Sequence, residues 1–395
     1  MRLYSHFVNY FLHLNKNIMF LAIAQIFSMS AMNINMITSG LAGFLIAPHG
    51  WMSTLPLSIL FIITMLGTVP FSLLMAKYGR KSIFIIGSSS TVLSGLMMAL
   101  SLIFNQFWLL CLGSSFLGIG HSISQFYRYA ATETVPVKVR PKAMSLVLSA
   151  GLVAAFLGPE IFRSTAQFLN NYLYAMTFLS MSIIQFLALP FILLLKIPLP
   201  KQTKSEGGRS LYTIFKQPKM IKAIISAAGG YSFMSFLMTA TPLQIVNVCK
   251  FGISANANII QWHVIAMFLP SFFTGSLIQR FTVEKVLFLG LIFYIIVLYT
   301  SITAVSEFQY LLVLFYLGLG WNFLFVGGSS LIVSSTRPEE RGKVQGIADF
   351  IIFSCVAISS LSAGLMHNLI GWDKMVLASI PLVIFILLAN CLKSR

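Results

Sequence analysis

Seven ionisable side chains stand inside otherwise apolar stretches of this chain: His121, Arg128, Glu133, Glu160, Arg163, His263 and Asp349. At the centre of a hydrocarbon layer such a group costs about 2.5–3.5 kcal/mol on insertion scales, so each is a candidate for function. His121, Gln125, Arg128 and Thr132 recur at i, i+4, i+7 and i+11, a spacing that puts them on one helical face, continued by Gly118 and Ser114. A polar stripe of that length must look into a water-filled cavity or onto another polar surface. Arg128 offers a planar fork of donors to an anionic group on a solute. His121, roughly 10 Å away at about 1.5 Å per residue, would hold the distal part of that solute or titrate with it.

Glu160 lies three residues before Arg163 and admits two readings. One is a structural salt bridge at a helix end. The other is a buried carboxylate that loads and releases a proton during a working cycle. His263, alone on an apolar face beside Trp262, is expected to pack near the outer end of its helix. No phosphate-binding glycine loop and no Ser-His-Asp arrangement is present, and Cys111, Cys249, Cys355 and Cys391 are too scattered for a metal site. These cysteines read as small packing residues, and no cofactor is expected.

The elements that carry these residues are dictated by composition. Of the residues, 57% are hydrophobic and only 9% are charged, with a mean hydropathy of +0.88. Few charges and repeated long apolar runs place the chain in a bilayer. Twelve such runs lie roughly at 18–40, 51–75, 82–103, 107–133, 142–163, 173–195, 221–246, 256–279, 286–304, 309–335, 344–367 and 373–392. Lipid leaves no partner for an unpaired backbone group, and no barrel alternation is visible, so these runs must be helices. The first run lacks a small-residue cleavage site and reads as a retained span.

The net charge of +17 is topological. With the N-terminus placed in the cytoplasm, 22 of the 26 Lys and Arg fall in the tails and inward loops, and only Arg163, Lys250 and Lys374 fall on the other side. This positive-inside asymmetry predicts both termini in the cytoplasm and argues against a nucleic-acid partner. The polar stretch from Lys196 to Lys222, with Pro198, Pro200 and the Gly207-Gly208 pair, reads as a linker. It divides the chain into a half at 1–195, a cytoplasmic linker at 196–220 and a half at 221–395. The halves echo each other at an offset near 200: Pro136 to Ala143 parallels Pro338 to Val344, and the loop ending Arg80-Lys81 parallels Gly275 to Phe281.

The run Ser72 to Lys81, SLLMAKYGRK, resembles the loop between the second and third helices of the major facilitator superfamily, whose motif reads roughly G-x-L-A-D-R-x-G-R-K. Leu74, Lys77, Gly79, Arg80 and Lys81 match, while Ser72 replaces the first glycine and Ala76 the acid. The runs YRYAATE and RGKVQGIADF resemble a bacterial branch of that superfamily. The resemblance implies an all-α membrane protein of twelve helices in two pseudo-symmetric six-helix bundles. It also implies a central cavity lined by spans one, four, seven and ten. Those spans offer Gln25, Asn33 and Asn35; His121, Gln125 and Arg128; Ser232, Ser235 and Thr239; Trp321 and Asn322. Hydrogen bonding between helices is the competing role for each single Ser or Asn.

In such carriers the motif's acid is thought to help latch the halves, so with Ala76 in its place the latch must differ. Arg80 is expected to pair with Glu133, with Asp349 facing Lys77 or Arg80 across the halves when the inner gate is shut. Gly151 to Pro159 resembles the Gly-Pro motif of the superfamily's antiporters, but Glu160, Ile161 and Phe162 stand where two further glycines are usual. The arginine that often precedes G-x-G on span four is Ser114 here. The expected function is a secondary carrier moving a small organic solute across a bacterial inner membrane by alternating access, driven most simply by protons. It is expected to be monomeric, with lipid as its surroundings. The alternatives are a drug or metabolite efflux antiporter and a membrane receptor or scaffold on a transporter fold; an enzyme is not expected.

Overall fold

The computed structural model describes residues 16–135, 140–197, 209–337 and 340–391. Arg2, Lys138, Lys201, Lys204, Lys393, Arg395 and residues 198–208 of the 196–220 linker lie outside the described residues, as do the side chains of Thr132, Arg140, Lys142, Arg341 and Lys343.

Among the described residues the chain is helical, with no strand. The first half comprises α1 (Lys16–Ile46), a short 3-10 turn at Gly50–Met52, α2 (Leu55–Tyr78), α3 (Arg80–Ile103), α4 (Phe107–Ser124), α5 (Tyr127–Glu133), α6 (Arg140–Thr165) and α7 (Ala175–Leu193). A short α8 (Leu211–Phe215) leads into the second half: α9 (Pro218–Leu243), α10 (Ile253–Phe268), α11 (Ser271–Phe281), α12 (Val283–Thr303), α13 (Glu307–Ser334), α14 (Arg341–Ala378) and α15 (Ile380–Cys391). Helix covers each of the twelve apolar runs, and among the described residues nine helical stretches are long and apolar enough to cross a membrane. The longest of these, Gly346–Cys391, turns at Gly371, whose φ of 77° and ψ of 175° only glycine adopts freely.

Local chemistry sets the ends. Pro218 opens α9, where a missing N–H is harmless. Ser306 and Gln309 form a reciprocal capping box on α13. Gly79 ends α2 at φ 84°, ψ 153°, so the chain can reverse directly into α3. The run expected as a single fourth span is two helices, α4 and α5. At the break the amide of Phe126 turns to the carbonyl of Ile123, three residues back, and re-aims α5. The eighth run divides likewise at Leu269-Pro270.

Helix ends are tied at the side that carries the linker. Asn17 exchanges two hydrogen bonds with the backbone of Lys196, at 3.0 and 2.8 Å. Arg209, within the linker, binds Glu340 and the carbonyl of Ser335. Hydrogen bonds that join the two halves lie elsewhere, at mid-helix or toward the opposite end. They link Ser58 with Ser360 at 3.2 Å, Ser354 with Met65 at 2.9 Å, and Arg163 with Gln261 at 2.7 Å. Glycines let the halves approach there. A side chain at Gly364 would overlap Thr54, and one at Gly151 would press on Phe268 at 3.0 Å.

Candidate functional site

Between the halves, reaching toward the linker end, is a cavity of about 500 Å³, within the usual range for small-molecule sites. Its walls come from α1, α4 and α5 on one side and from α9, α10, α13 and α14 on the other. A platform of aromatic rings forms its core. Trp321 and Phe325, one turn apart on α13, stack with centroids 4.9 Å apart and planes 12° apart. Tyr231 of α9 stands edge-on to both at 5.4 Å. Phe268 of α10 and Phe353 of α14 complete the group, 6.1 Å from Trp321 and 5.9 Å from Tyr231. Met29, Met32, Met36, Met234, Met238 and Met267 also face the cavity. Unbranched, polarisable thioethers of this kind adapt to a flat ligand better than branched side chains do.

Polar atoms stand around this apolar floor. Gln25 Oε1, Arg128 Nε, His263 Nε2 and Trp321 Nε1 line the cavity and have no hydrogen-bond partner. His263 is 1% exposed and its Nδ1 lies 2.6 Å from the carbonyl of Leu314. A carbonyl takes a proton at Nδ1, which leaves Nε2 as an acceptor. His121 and Gln125 pair at 3.1 Å through their Nε2 atoms. Arg128 donates to the Tyr129 hydroxyl at 3.2 Å and lies over that ring, 4.8 Å from its centroid. Asp349 lines the opposite wall and attracts Arg128 across the cavity.

The structure therefore brings together His121, Gln125, Arg128, Asn33 and Trp321 from the expected set. The break between α4 and α5 does not disperse the polar stripe. Its proposed continuation is different: Gly118 lies against α2, where Thr64 donates to its carbonyl, so that part of the face is a helix contact. Asn33 keeps a place on the wall while its amide donates to the carbonyl of Ala154 on α6 at 3.0 Å. Asn35 is fully buried away from the cavity. Asn322 is an interhelical tie, joined to Met267, Ser271 and Thr274 at 2.6, 2.6 and 2.8 Å. On α9 the wall is Tyr231, Met234 and Met238 in place of Ser232, Ser235 and Thr239. His263 is a wall residue of the cavity, a correction to its expected place near the outer end.

Among the gating candidates, Arg80 donates to both oxygens of Glu133, through Nε at 2.6 Å and through a terminal nitrogen. Asp349 faces Arg128 in this conformation instead of Lys77 or Arg80. Lys77 lies over the ring of Tyr78, 5.0 Å from its centroid. Glu160 and Arg163 do pair, at 2.6 Å, and Arg163 also holds Gln261 of α10. Glu160 is 70% exposed, so the burial that the proton-carrying reading requires is absent and the structural reading is the one the geometry supports.

The Major Facilitator Superfamily model matches residues 17–260 and 250–393. The chain belongs to the major facilitator superfamily. It is 34% identical over 386 residues to the riboflavin transporter RfnT of Brucella anthropi, covering 96% of each chain. Among solved structures, the nucleoside transporter NupG superposes with a TM-score of 0.71 at 15% identity, over 95% of this chain and 99% of that one. The transporter FucP superposes with a TM-score of 0.62 at 13% identity, over 96% and 100%. Likeness at this level of identity shows the fold. This is a multi-pass secondary transporter of a small molecule, not an enzyme.

Proposed function

We propose that this carrier moves riboflavin, or a flavin of closely similar shape, across the bacterial inner membrane. The single observation that carries the reading is the aromatic platform of Trp321, Phe325 and Tyr231 at the floor of a cavity with unpaired donors and acceptors at its edge. A flavin is a flat fused ring system bearing heteroatoms and a chain of hydroxyl groups, and that surface offers a stacking face with hydrogen-bonding groups beside it. Stacking of a flat heterocycle on an aromatic side chain is worth about 1–3 kcal/mol per ring. The 34% identity to RfnT across both chains supports the same substrate class.

With the lysine-rich linker in the cytoplasm, the cavity opens inward and the cross-half contacts close the outside. In the return state the inner ends approach, and Arg80, already held by Glu133, comes to the rim where a latch forms. Protons are the simplest energy source, and the carrier works as a monomer.

Purified protein in liposomes tests the reading. Entrance counterflow of radiolabelled riboflavin should exceed that of empty liposomes several-fold, and an imposed proton gradient should drive accumulation. No counterflow from a correctly folded carrier removes the flavin assignment. A gradient without effect removes only the proton coupling.

A further inference from the structure

The cavity's charge carries information about its substrate that the ring platform does not. Among the residues lining the cavity, Arg128 is the one Lys or Arg side chain, and Asp349 on the facing half is the one Asp or Glu. The two attract each other but make no direct salt bridge. Arg128 keeps Nε without a partner. A cation awaiting an anionic solute would not be expected to stand opposite a built-in counter-ion, because burying a second anion beside Asp349 sets like charges together in a dry site. The gap between a donor and an acceptor suits a group that both donates and accepts, which a hydroxyl does.

Position along the helices gives the orientation. Trp321 is thirteen residues from the linker end of α13 at Ser334, about 20 Å at 1.5 Å per residue. Arg128 lies five residues from the end of α5 at Glu133, and Asp349 eight residues from the start of α14 at Arg341, about 8 and 12 Å by the same rise. The rings are therefore deep and the charges are nearer the mouth. A flavin stacked on Trp321 directs its polyol chain toward Arg128 and Asp349.

We propose that Arg128 and Asp349 form a split charge pair that selects an uncharged polyol tail and rejects its phosphate monoester. Asp349 is thus a specificity-determining residue: it cancels the field of Arg128, and the two are bridged by hydroxyls of the solute. This rests on the flavin reading above. A phosphate monoester brings about −1.5 to −2 charges at neutral pH, which the compensated pair cannot balance. Removing Asp349 leaves Arg128 as an uncompensated anion-binding fork.

The test is flavin fluorescence quenching on purified full-length carrier, with riboflavin and with its 5′-phosphate as probes. The wild type should bind riboflavin and bind the phosphate at least tenfold more weakly. Asp349→Asn should lose riboflavin affinity several-fold and gain phosphate affinity tenfold or more, inverting the preference. The double variant Arg128→Gln, Asp349→Asn, again without net charge, should reject the phosphate once more. Asp349→Ser serves as a second single variant should Asp349→Asn fail to fold, and the same inversion is expected of it. Folding is checked by monodisperse elution and a thermal transition. Riboflavin bound by the wild type, with no gain for the phosphate in a folded Asp349 variant, overturns the proposal and leaves the flavin reading standing. A wild type that binds both flavins equally overturns it too. A folded wild type that binds neither flavin sinks the flavin reading and the proposal with it.

Discussion

Gly79 and Thr282 occupy the same backbone conformation at equivalent turns of the two halves, φ 84°, ψ 153° and φ 77°, ψ 156°. Each ends one helix and starts the next, and the residue before each turn is an aromatic ring beneath a cation: Lys77 over Tyr78 at 5.0 Å and Arg280 over Phe281 at 5.2 Å. Arg280 is thus the counterpart of Lys77. That region of φ and ψ is essentially restricted to glycine, and a β-branched residue there holds strain of about 1–3 kcal/mol. Thr282→Gly should raise stability by about 1 kcal/mol after the entropy that glycine adds to the unfolded chain. Gly79→Thr should lower it by a similar amount. Thermal unfolding in detergent reads both, and an unchanged or lower midpoint for Thr282→Gly would refute the strain.

How far the site could be read from the chain is clearest on α9 and α13. The fold was legible because membrane spans are long, apolar and bounded by charge, and the stripe of His121, Gln125 and Arg128 was legible because polarity contrasts with lipid. The opposite wall was not. Most of α9 is buried, so polarity carries no phase there: Ser232 is the polar residue, yet its neighbour Tyr231 lines the cavity. Neighbouring residues on a helix point about 100° apart at 3.6 residues per turn. Hence Trp321 faces the cavity while Asn322 faces α11. The break at Gln125-Phe126 left no signal in glycine or proline.

Trp321 and Asn322 should accordingly separate binding from stability. Trp321→Ala removes a stacking face worth about 1–3 kcal/mol, a loss of roughly 5- to 150-fold in flavin affinity. Trp321→Phe should retain part of it. Asn322→Ala deletes three interhelical bonds and leaves buried groups unpaired, at about 1–3 kcal/mol of stability, with affinity in the folded fraction nearly unchanged. Fluorescence titration and thermal melts on the same preparations check this. The reverse pattern would exchange the two roles.

Glu160 should prove dispensable for coupling. Its carboxylate is exposed and paired with Arg163, an arrangement typically worth about 0–1 kcal/mol. Glu160→Gln should keep the pH dependence of accumulation. Arg163→Ala also loses the cross-half bond to Gln261, so it should favour the outward-open state. Cysteine labelling from the outside should rise in Arg163→Ala and stay level in Glu160→Gln. A flattened pH profile in Glu160→Gln would return the proton-carrying role to that residue.

Glu340 should make the carrier acid-sensitive through the strap to Arg209. Its carboxylate is only 2% exposed. It accepts from the Arg209 side chain at 2.9 and 2.8 Å, from the Arg209 amide at 2.9 Å and from the Arg337 amide at 3.0 Å. The Arg209 guanidinium, aided by these amides, holds the carboxyl down at about 2, against an ordinary value of 4.5. A carboxylate depressed on folding contributes stability above its unfolded value and loses it as pH falls toward the folded one. The melting temperature of the wild type should therefore lose this contribution progressively between pH 4.5 and 2. Glu340→Gln should melt lower at pH 7, lack that component of the decline, and converge on the wild type at the acid end. Parallel curves for the two proteins across that range would show that the strap does not stabilise the folded carrier through this charge.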